Sequence, residues 1–329
     1  MSGEHGDGLV RSGWIEKMFG QRIYEAFRQV KNAFDPKGIM NPGKIIDPPP
    51  MTDNLRIGPG YRTLDLSTQF RFREQGSFAK AIEMCNGQAA CRKVLSGTMC
   101  PSYMVTRDEK HSTRGRANAL RAAISGTLPQ NTLTSKNLHD VLDLCLECKA
   151  CKSECPSNVD MAKLKYDFLD RYHKVHGFTI RDRVLGNLSS LSRLGSFFSP
   201  LSNWLLSSDV FKQTLLNYCG IDQRRSLPLF RSQTFVQWFR ARGGSHSNSS
   251  SLGKVVLFPD TFMNYNQPEL GKAATRVLEK LGYQVVVPSV RCCGRPELSK
   301  GMIDKTRANA QFNVEALSPY IENGAKVVG

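Results

Sequence analysis

The 329-residue sequence lacks several features that would assign it to a broad class at once. No uninterrupted apolar run approaches the ~18–20 residues that a membrane-spanning helix needs. Its start, MSGEHGDGLV, has no basic stretch followed by an apolar one, so no secretory signal is expected. Acidic residues are scarce: 29 Asp and Glu stand against 45 Lys and Arg, a formal charge of +16. That excess suits an anionic partner (nucleic acid, a membrane surface or an acidic protein) and says nothing of the fold. Apolar residues at 40% and charged residues at 22% argue against wholesale disorder. At ~100–200 residues per domain the length implies two or three domains. Ten cysteines in a chain without an export signal read as metal ligands or redox groups rather than disulfides.

Residues 1–46 read as a short Gly-rich loop followed by one helix. Ile15, Met18, Phe19, Ile23, Phe27, Val30 and Phe34 keep a helical period over about five turns. Asp35-Pro36 ends it, because the residue before proline is pushed out of the helical region, and Asn41-Pro42-Gly43 makes a turn. A lone amphipathic helix cannot bury its own apolar face, so this block reads as the tail of a larger domain. Asp47-Pro48-Pro49-Pro50 is a stiff linker. Residues 51–180 hold seven of the ten cysteines. Residues 181–245 have a helical composition and three acids, Asp182, Asp209 and Asp222, against nine bases. Residues 243–251, GGSHSNSSS, form a second, flexible linker. From residue 252 the pattern changes to strand (Val255 to Phe258), helix (269–281, with Leu270, Ala274, Val277, Leu278 and Leu281 on one face) and strand (Val285 to Val287). A third strand begins near Ala325. This is half of a parallel α/β unit.

The strongest motif is Cys145-x2-Cys148-x2-Cys151-x3-Cys155-Pro156, the bacterial-type ferredoxin run for a [4Fe–4S] cluster. Three thiolates two residues apart wrap a tight loop around three corners of a cube. The fourth, before proline, points away to the other cluster in two-cluster ferredoxins. Two CxxC pairs could also hold zinc, but zinc knuckles separate their pairs by a longer spacer. Upstream stands Cys85-x5-Cys91-x8-Cys100-Pro101. In the crossed arrangement, Cys145, Cys148, Cys151 and Cys100 hold one cluster. Cys85, Cys91 and Cys155 leave the other with three thiolates. A three-iron cluster, a cubane with one other ligand, and no second cluster all fit. Cys292-Cys293-Gly294 after a strand is a third candidate: adjacent thiols can clamp a metal or cluster, and glycine permits close backbone approach.

Three stretches resemble known families. SGEHGDGLVRS with FDPKGIMNPGKI (2–12 and 34–45) resembles the C-terminal end of FAD-linked oxidases of the vanillyl-alcohol-oxidase type. MCPSYMVTRDEKHSTRGRANALR with CLECKACKSECPSNVDMAKLK resembles the ferredoxin-like part of the glycolate oxidase iron–sulfur subunit and of large fused FAD/iron–sulfur oxidoreductases. LFPDTFMNYNQPELG with RCCGRP resembles the CCG domain shared with heterodisulfide reductases. The resemblance implies FAD as a cofactor. It also implies that Glu4 binds a divalent metal holding the substrate carboxylate, that His5 is the base taking the hydroxyl proton, and that Asn41 approaches the flavin. Asp260 stands where related CCG repeats carry a first cysteine, which weighs against a non-cubane cluster at Cys292 and Cys293. The FAD-binding half and a second CCG half are expected outside this sequence. The chain is thus expected to be an internal piece of a longer protein, one that alone does not oxidise substrate.

The expected fold class is α+β, mostly helical: 1–46 the end of an FAD-linked oxidase domain, 51–180 a helical ferredoxin-type domain, 181–245 a basic helical connector, and 252–329 part of a CCG domain. The expected function is electron transfer in a flavin-dependent dehydrogenase of small D-2-hydroxy acids, with a quinone, cytochrome or carrier protein as acceptor. The expected location is cytoplasmic, with a peripheral contact to anionic membrane on the inner face compatible with the charge. One rival is a stand-alone ferredoxin-like subunit docking a flavoprotein. The other is a basic, zinc-stabilised binding module, in which Phe197, Phe198, Trp204, Trp238 and Phe239 stack on bases or sit at a membrane surface instead of lining a helical core. Nucleic-acid motifs are missing, so nucleic acid is not expected as a partner. Ser157 with Asp160 reads as a capping box, and the HSTRGR stretch (111–116) as the start of a surface helix.

Overall fold

The computed structural model describes residues 6–246 and 252–329. Glu4 and His5 lie outside the described residues, as do positions 247–251 of the Ser-rich linker. The chain divides into two compact units, one ending at Thr63 and one spanning Leu64–Gly329. The Asp47–Pro50 stretch lies inside the first.

In the first unit the expected single helix is two. Ile15–Phe19 stops at Gly20, whose φ of 79° and ψ of 158° break the ladder, and Gln21–Phe34 follows. Glycine takes that conformation without a Cβ penalty. Ile15 and Tyr24 are buried, while Met18, Phe19, Ile23, Val30 and Phe34 are exposed. The turn after Phe34 is organised by the buried Asp35 carboxylate, which accepts from Ile39 N and Met40 N at 2.9 Å and from Lys31 Nζ at 2.6 Å. Tyr24 Oη accepts from Asp47 N at 2.8 Å, and Arg28 pairs with the Asp47 carboxylate at 2.6 Å.

The second unit begins with a helical core. The helices Phe78–Glu83, Thr113–Ile124, Lys136–Asp143 and Met161–His176 contribute Ile82, Leu120, Ile124, Leu142, Leu164 and Phe168 to one buried cluster. The Met161–His176 helix is capped by Asp160, whose carboxylate accepts from Lys163 N at 3.0 Å, and not by Ser157. Asn158, at φ 50°, turns the chain between the two, so Ser157 stands outside the helix start. Thr113–Ile124 is no surface helix either: Thr113, Arg116, Ala117, Leu120, Ala123 and Ile124 are buried along it.

Four helices follow, Ile180–Gly186, Leu188–Phe197, Ser199–Ser207 and Asp209–Tyr218. The aromatics of this region split. Phe239 is buried and Trp238 packs against core, whereas Phe197, Phe198 and Trp204 are exposed. The last part is a three-stranded parallel sheet in the order β2–β1–β3: β1 Lys254–Leu257, β2 Gln284–Val286, β3 Lys326–Val328. Val255 pairs with Val285, and Val256 with Val327. Helix Pro268–Lys280 links β1 to β2. Its buried side runs through Gly271, Ala274, Thr275 and Leu278; Leu270, Val277 and Leu281, expected on one face with Ala274 and Leu278, are exposed. The reason is Phe235 from the Phe235–Ala241 helix, which occupies this face so closely that a Cβ at Gly271 would lie 2.5 Å from its ring. Among the described residues no helix is long and apolar enough to cross a membrane.

Candidate iron–sulfur site

Cys145 follows the Lys136–Asp143 helix, Cys148 lies in an open loop, and Cys151 starts the last turn before Cys155 ends the short helix Ala150–Glu154. Glu147 (φ 56°) and Lys149 (φ 60°) alternate with the thiols in left-handed backbone, which folds the loop back on itself. Cys100, also left-handed at φ 55°, precedes helix Pro101–Thr106. These elements bring Cys100, Cys145, Cys148 and Cys151 to the wall of one cavity, together with Thr113, Arg116 and Met161. With its solvent-facing mouth the cavity measures ≈ 310 Å³. The predicted crossed set thus shares one space, although Cys100 lies 45 residues before Cys145.

The sulfurs meet backbone donors from an element the sequence did not connect with them. Ser112 caps the Thr113–Ile124 helix through Gly115 N at 2.9 Å. The first N–H groups of that helix then point at sulfur: Thr113 N to Cys100 Sγ at 3.1 Å, Arg114 N to Cys91 Sγ at 3.3 Å. Thr113 Oγ1 also lies 2.9 Å from Cys100 Sγ. A helix N-terminus favours negative charge, so it supports thiolates. Arg116, buried, donates to Val141 O at 3.1 Å and to Ser102 Oγ at 3.0 Å.

Cys91 and Cys100 share a hydrogen bond. It holds the Cys91 thiol down at about 6 against burial, with Arg114 N–H and Ser112 adding to the effect; the same bond and burial push Cys100 up. Burial pushes Cys151 up to about 11, and the neighbouring Cys145 and Cys148 add to it. Cys85 and Cys91 are buried in the same core as Cys100 and Cys151, with Cys145 and Cys155 packed against it.

Two acids went unnoticed in the sequence. The Glu154 carboxylate accepts from Thr98 N at 2.9 Å, Met99 N at 3.2 Å and the Thr98 hydroxyl, clamping the approach to Cys100 onto the Ala150–Glu154 helix. Glu147 is buried and pairs with Lys165 Nζ at 3.0 Å and Arg295 Nη1 at 3.1 Å. Lys165 Nζ also donates to Cys145 O at 2.9 Å.

Farther along, Cys292 Sγ accepts from Thr261 Oγ1 at 3.5 Å and lies 3.7 Å from Glu297 Oε2. Asp260 caps the Thr261–Tyr265 helix. Cys292 also lines a larger cleft at the carboxyl ends of β1 and β2. Cys293 is exposed. In the first unit, Asn41 is exposed in left-handed backbone at φ 49°.

The donor set fits a polynuclear cluster. Soft thiolates suit iron–sulfur centres as they do zinc, backbone N–H groups aim at Cys100 and Cys91, and Cys100 stands with Cys145, Cys148 and Cys151 round one cavity. Among the described residues no three Cys, His, Asp or Glu side chains converge as one metal ion requires.

Comparison with known families matches the FAD-linked oxidase C-terminal domain over residues 1–45, a 4Fe-4S dicluster domain over 84–160 and a cysteine-rich domain over 255–328. The chain is 26% identical to D-2-hydroxyglutarate dehydrogenase of Pseudomonas putida over 99% of its own length and 36% of that protein's. It is 32% identical to one of the subunits of the anaerobic glycerol-3-phosphate dehydrogenase of Escherichia coli, over 42% of this chain and 35% of that one. It is 26% identical to the glycolate oxidase iron-sulfur subunit of Escherichia coli, covering 76% of this chain and 57% of that one. The chain spans about a third of the length of the hydroxyglutarate dehydrogenases it matches. No solved structure matches. The chain carries the end of an FAD-linked oxidase domain, a 4Fe-4S dicluster domain and a cysteine-rich domain, in that order, and its middle is an iron–sulfur region.

Proposed function

We propose that the chain is the electron-relay portion of an FAD-linked dehydrogenase of D-2-hydroxy acids, with D-2-hydroxyglutarate the first substrate to test. The observation that carries this reading is the meeting of Cys100 with Cys145, Cys148 and Cys151 round one cavity. When bound, FAD accepts electrons in pairs, and a [4Fe–4S] cluster passes them singly. Cys100, Cys145, Cys148 and Cys151 hold the cluster, and the Thr113 amide supports the charge on Cys100. Cys85, Cys91 and Cys155 contribute to a second cluster, a reading supported by the dicluster match. In the oxidase part, Glu4 holds a metal on the substrate carboxylate, His5 takes the hydroxyl proton, and Asn41 lies toward the flavin; their place in the matched domain supports this. Cys292 and Cys293 are candidate ligands in the cysteine-rich part. The acceptor is a quinone, a cytochrome or a carrier protein.

Anaerobic reconstitution with iron and sulfide tests the reading. Bound iron with acid-labile sulfide is expected, at about eight irons for two cubanes or about four for one. Cys148→Ala should lower both. Zinc without sulfide would overturn it in favour of a zinc-stabilised binding module.

A peripheral anionic-membrane contact belongs to the same reading. Leu194, Phe197, Phe198, Leu201, Trp204 and Val210 are exposed on the connector helices, beside Arg193 and Lys212. Apolar and basic side chains together suit an interface of anionic lipid, as expected for a protein on the inner face of the membrane. Salt-sensitive binding to phosphatidylserine vesicles, weakened by Trp204→Ser, is the expected result.

A further inference from the structure

Three charges beside the cysteine loop, two of them buried and the third, Arg295, about half exposed, come from separate parts of the sequence. Glu147 lies between Cys145 and Cys148, and its side chain is 4% exposed. Lys165 enters from the Met161–His176 helix at 6% exposure. Arg295 enters from a segment 148 residues away, two positions after Cys293. Its guanidinium makes three hydrogen bonds of 3.1 Å: Nη1 to Glu147 Oε2 and Tyr166 Oη, and Nη2 to the Glu147 carbonyl. The fork therefore grips both the side chain and the backbone of the residue that separates two of the candidate ligands. Lys165 takes the other carboxylate oxygen and the Cys145 carbonyl. The three ionised groups carry one net positive charge against the loop. The Cys292–Cys293 loop, which delivers Arg295, is itself pinned: Asn313 receives Arg291 N at 2.7 Å and donates to the carbonyls of Arg291 and Cys292 at 3.1 and 3.3 Å.

We propose that Arg295 is a positioning residue for the cluster held by Cys100, Cys145, Cys148 and Cys151: it locks the Glu147 turn and, with Lys165, raises the reduction potential of that cluster. The inference rests on the cluster-binding reading above. A polynuclear cluster gains negative charge on reduction, and its potential follows nearby charge and hydrogen bonding. A net positive group held beside the loop stabilises the reduced form. The cysteine-rich part of the chain thereby tunes a centre in the ferredoxin-like part.

The test is a redox titration of the reconstituted full chain, followed by visible absorbance and by electron paramagnetic resonance. Arg295→Gln should lower the midpoint, shifting the one-electron equilibrium about threefold or more, ~28 mV at 59 mV per tenfold. Glu147→Gln should raise it by a similar factor, because Arg295 and Lys165 are left uncompensated. Arg295→Lys, which keeps the charge, should stay nearer the parent than Arg295→Gln. A purely structural role would alter iron content or melting without moving midpoints in opposite directions. Unchanged midpoints in both glutamine variants, or shifts of the same sign, with parental iron and sulfide, overturn the proposal. If Arg295→Gln holds no cluster, Glu147→Gln decides: a raised midpoint supports the proposal and an unchanged one overturns it. A parent chain that binds no iron and sulfide overturns the cluster reading itself, and this proposal with it.

Discussion

Gly115→Ala should destabilise the chain, against the usual effect of that exchange in a helix. Alanine is normally favoured over glycine in helices by about 1 kcal/mol. At Gly115, in the first turn of Thr113–Ile124, an added Cβ would sit 2.0 Å from the carbonyl oxygen of Glu109 and 2.7 Å from its carbon. Both are backbone atoms of the turn that precedes the helix, so no flexible side chain can yield. Inserting a methyl into a packed site costs about 1–3 kcal/mol and more where backbone must move. The clash therefore outweighs the propensity gain, and a net loss of about 1–2 kcal/mol is expected. At roughly 2–4 °C per kcal/mol for a domain of 150–250 residues, a fall of several degrees follows. The displaced segment carries Thr113 N and Arg114 N, the donors to Cys100 and Cys91. Iron and sulfide retention should fall along with melting temperature. The assay is anaerobic thermal unfolding of the reduced, cluster-free chain by circular dichroism, followed by reconstitution. Gly13→Ala is the control, since nothing lies within 4 Å of a Cβ there. A Gly115→Ala chain that melts at or above the parent would refute the packing argument.

Other outcomes follow from the same geometry. In the cluster-free chain Cys293 is held down at about 6, first by the hydrogen bond from Cys292 and also by Arg295 N–H. Its alkylation by iodoacetamide should reach half-maximal rate near pH 6, and Cys292→Ala should move that inflection upward; a parental inflection near 8.5, the ordinary thiol value, contradicts the pairing. Glu154 has its carboxyl lowered by the Thr98 hydroxyl and amide. Its clamp is fully present above the ordinary carboxylate range and is lost as pH falls through the lowered value. Glu154→Gln should cut cluster incorporation at neutral pH, and an unchanged iron content would show that the clamp does not shape the Cys100 turn. Tyr24→Phe removes the acceptor of Asp47 N. It should destabilise the first unit by about 0.5–1.5 kcal/mol, read by hydrogen exchange at Asp47.

The parts of the site that were legible in the sequence are those written in short spacings. The run from Cys145 to Cys155 specifies a loop because its candidate ligands are neighbours, and the proline after Cys100 is the pattern of an outward-pointing thiol. The strands were legible for the same reason: Val255 and Val285 lie in short apolar runs between turn residues. What escaped is every partner supplied from afar. Arg295 reaches Glu147 across 148 positions and Glu154 reaches Thr98 across 56, and neither pair has a local pattern. The HSTRGR stretch announced a helix but not that its first N–H groups face sulfur. Gly20 misled differently. The apolar period runs through it, and an isolated glycine in a helical pattern is usually tolerated at ~1 kcal/mol; only its φ of 79° reveals the break.

Strain and restraint sit on the same few residues of the candidate site. Cys100, Glu147 and Lys149 all lie at positive φ without being glycine. Each such residue costs of order 1–3 kcal/mol and persists only where its surroundings over-determine it. For Cys100 the restraint comes from both sides: Glu154 grips the amides of Thr98 and Met99 just before it, and Thr113 holds its sulfur. For Glu147 it comes from Lys165 and the two-pronged contact of Arg295. Both restraints use ionised carboxylates on backbone or cationic partners, which are strong hydrogen bonds. The sulfur-bearing turns therefore do not depend on the apolar core alone. Their shape is set by charges that a truncation before Arg295 or protonation of Glu154 would remove while the helices beneath stayed packed. Loss of cluster-binding capacity ahead of loss of helix is the expected order of events on acidification, and simultaneous loss would mean that the core, not these carboxylates, holds the turns.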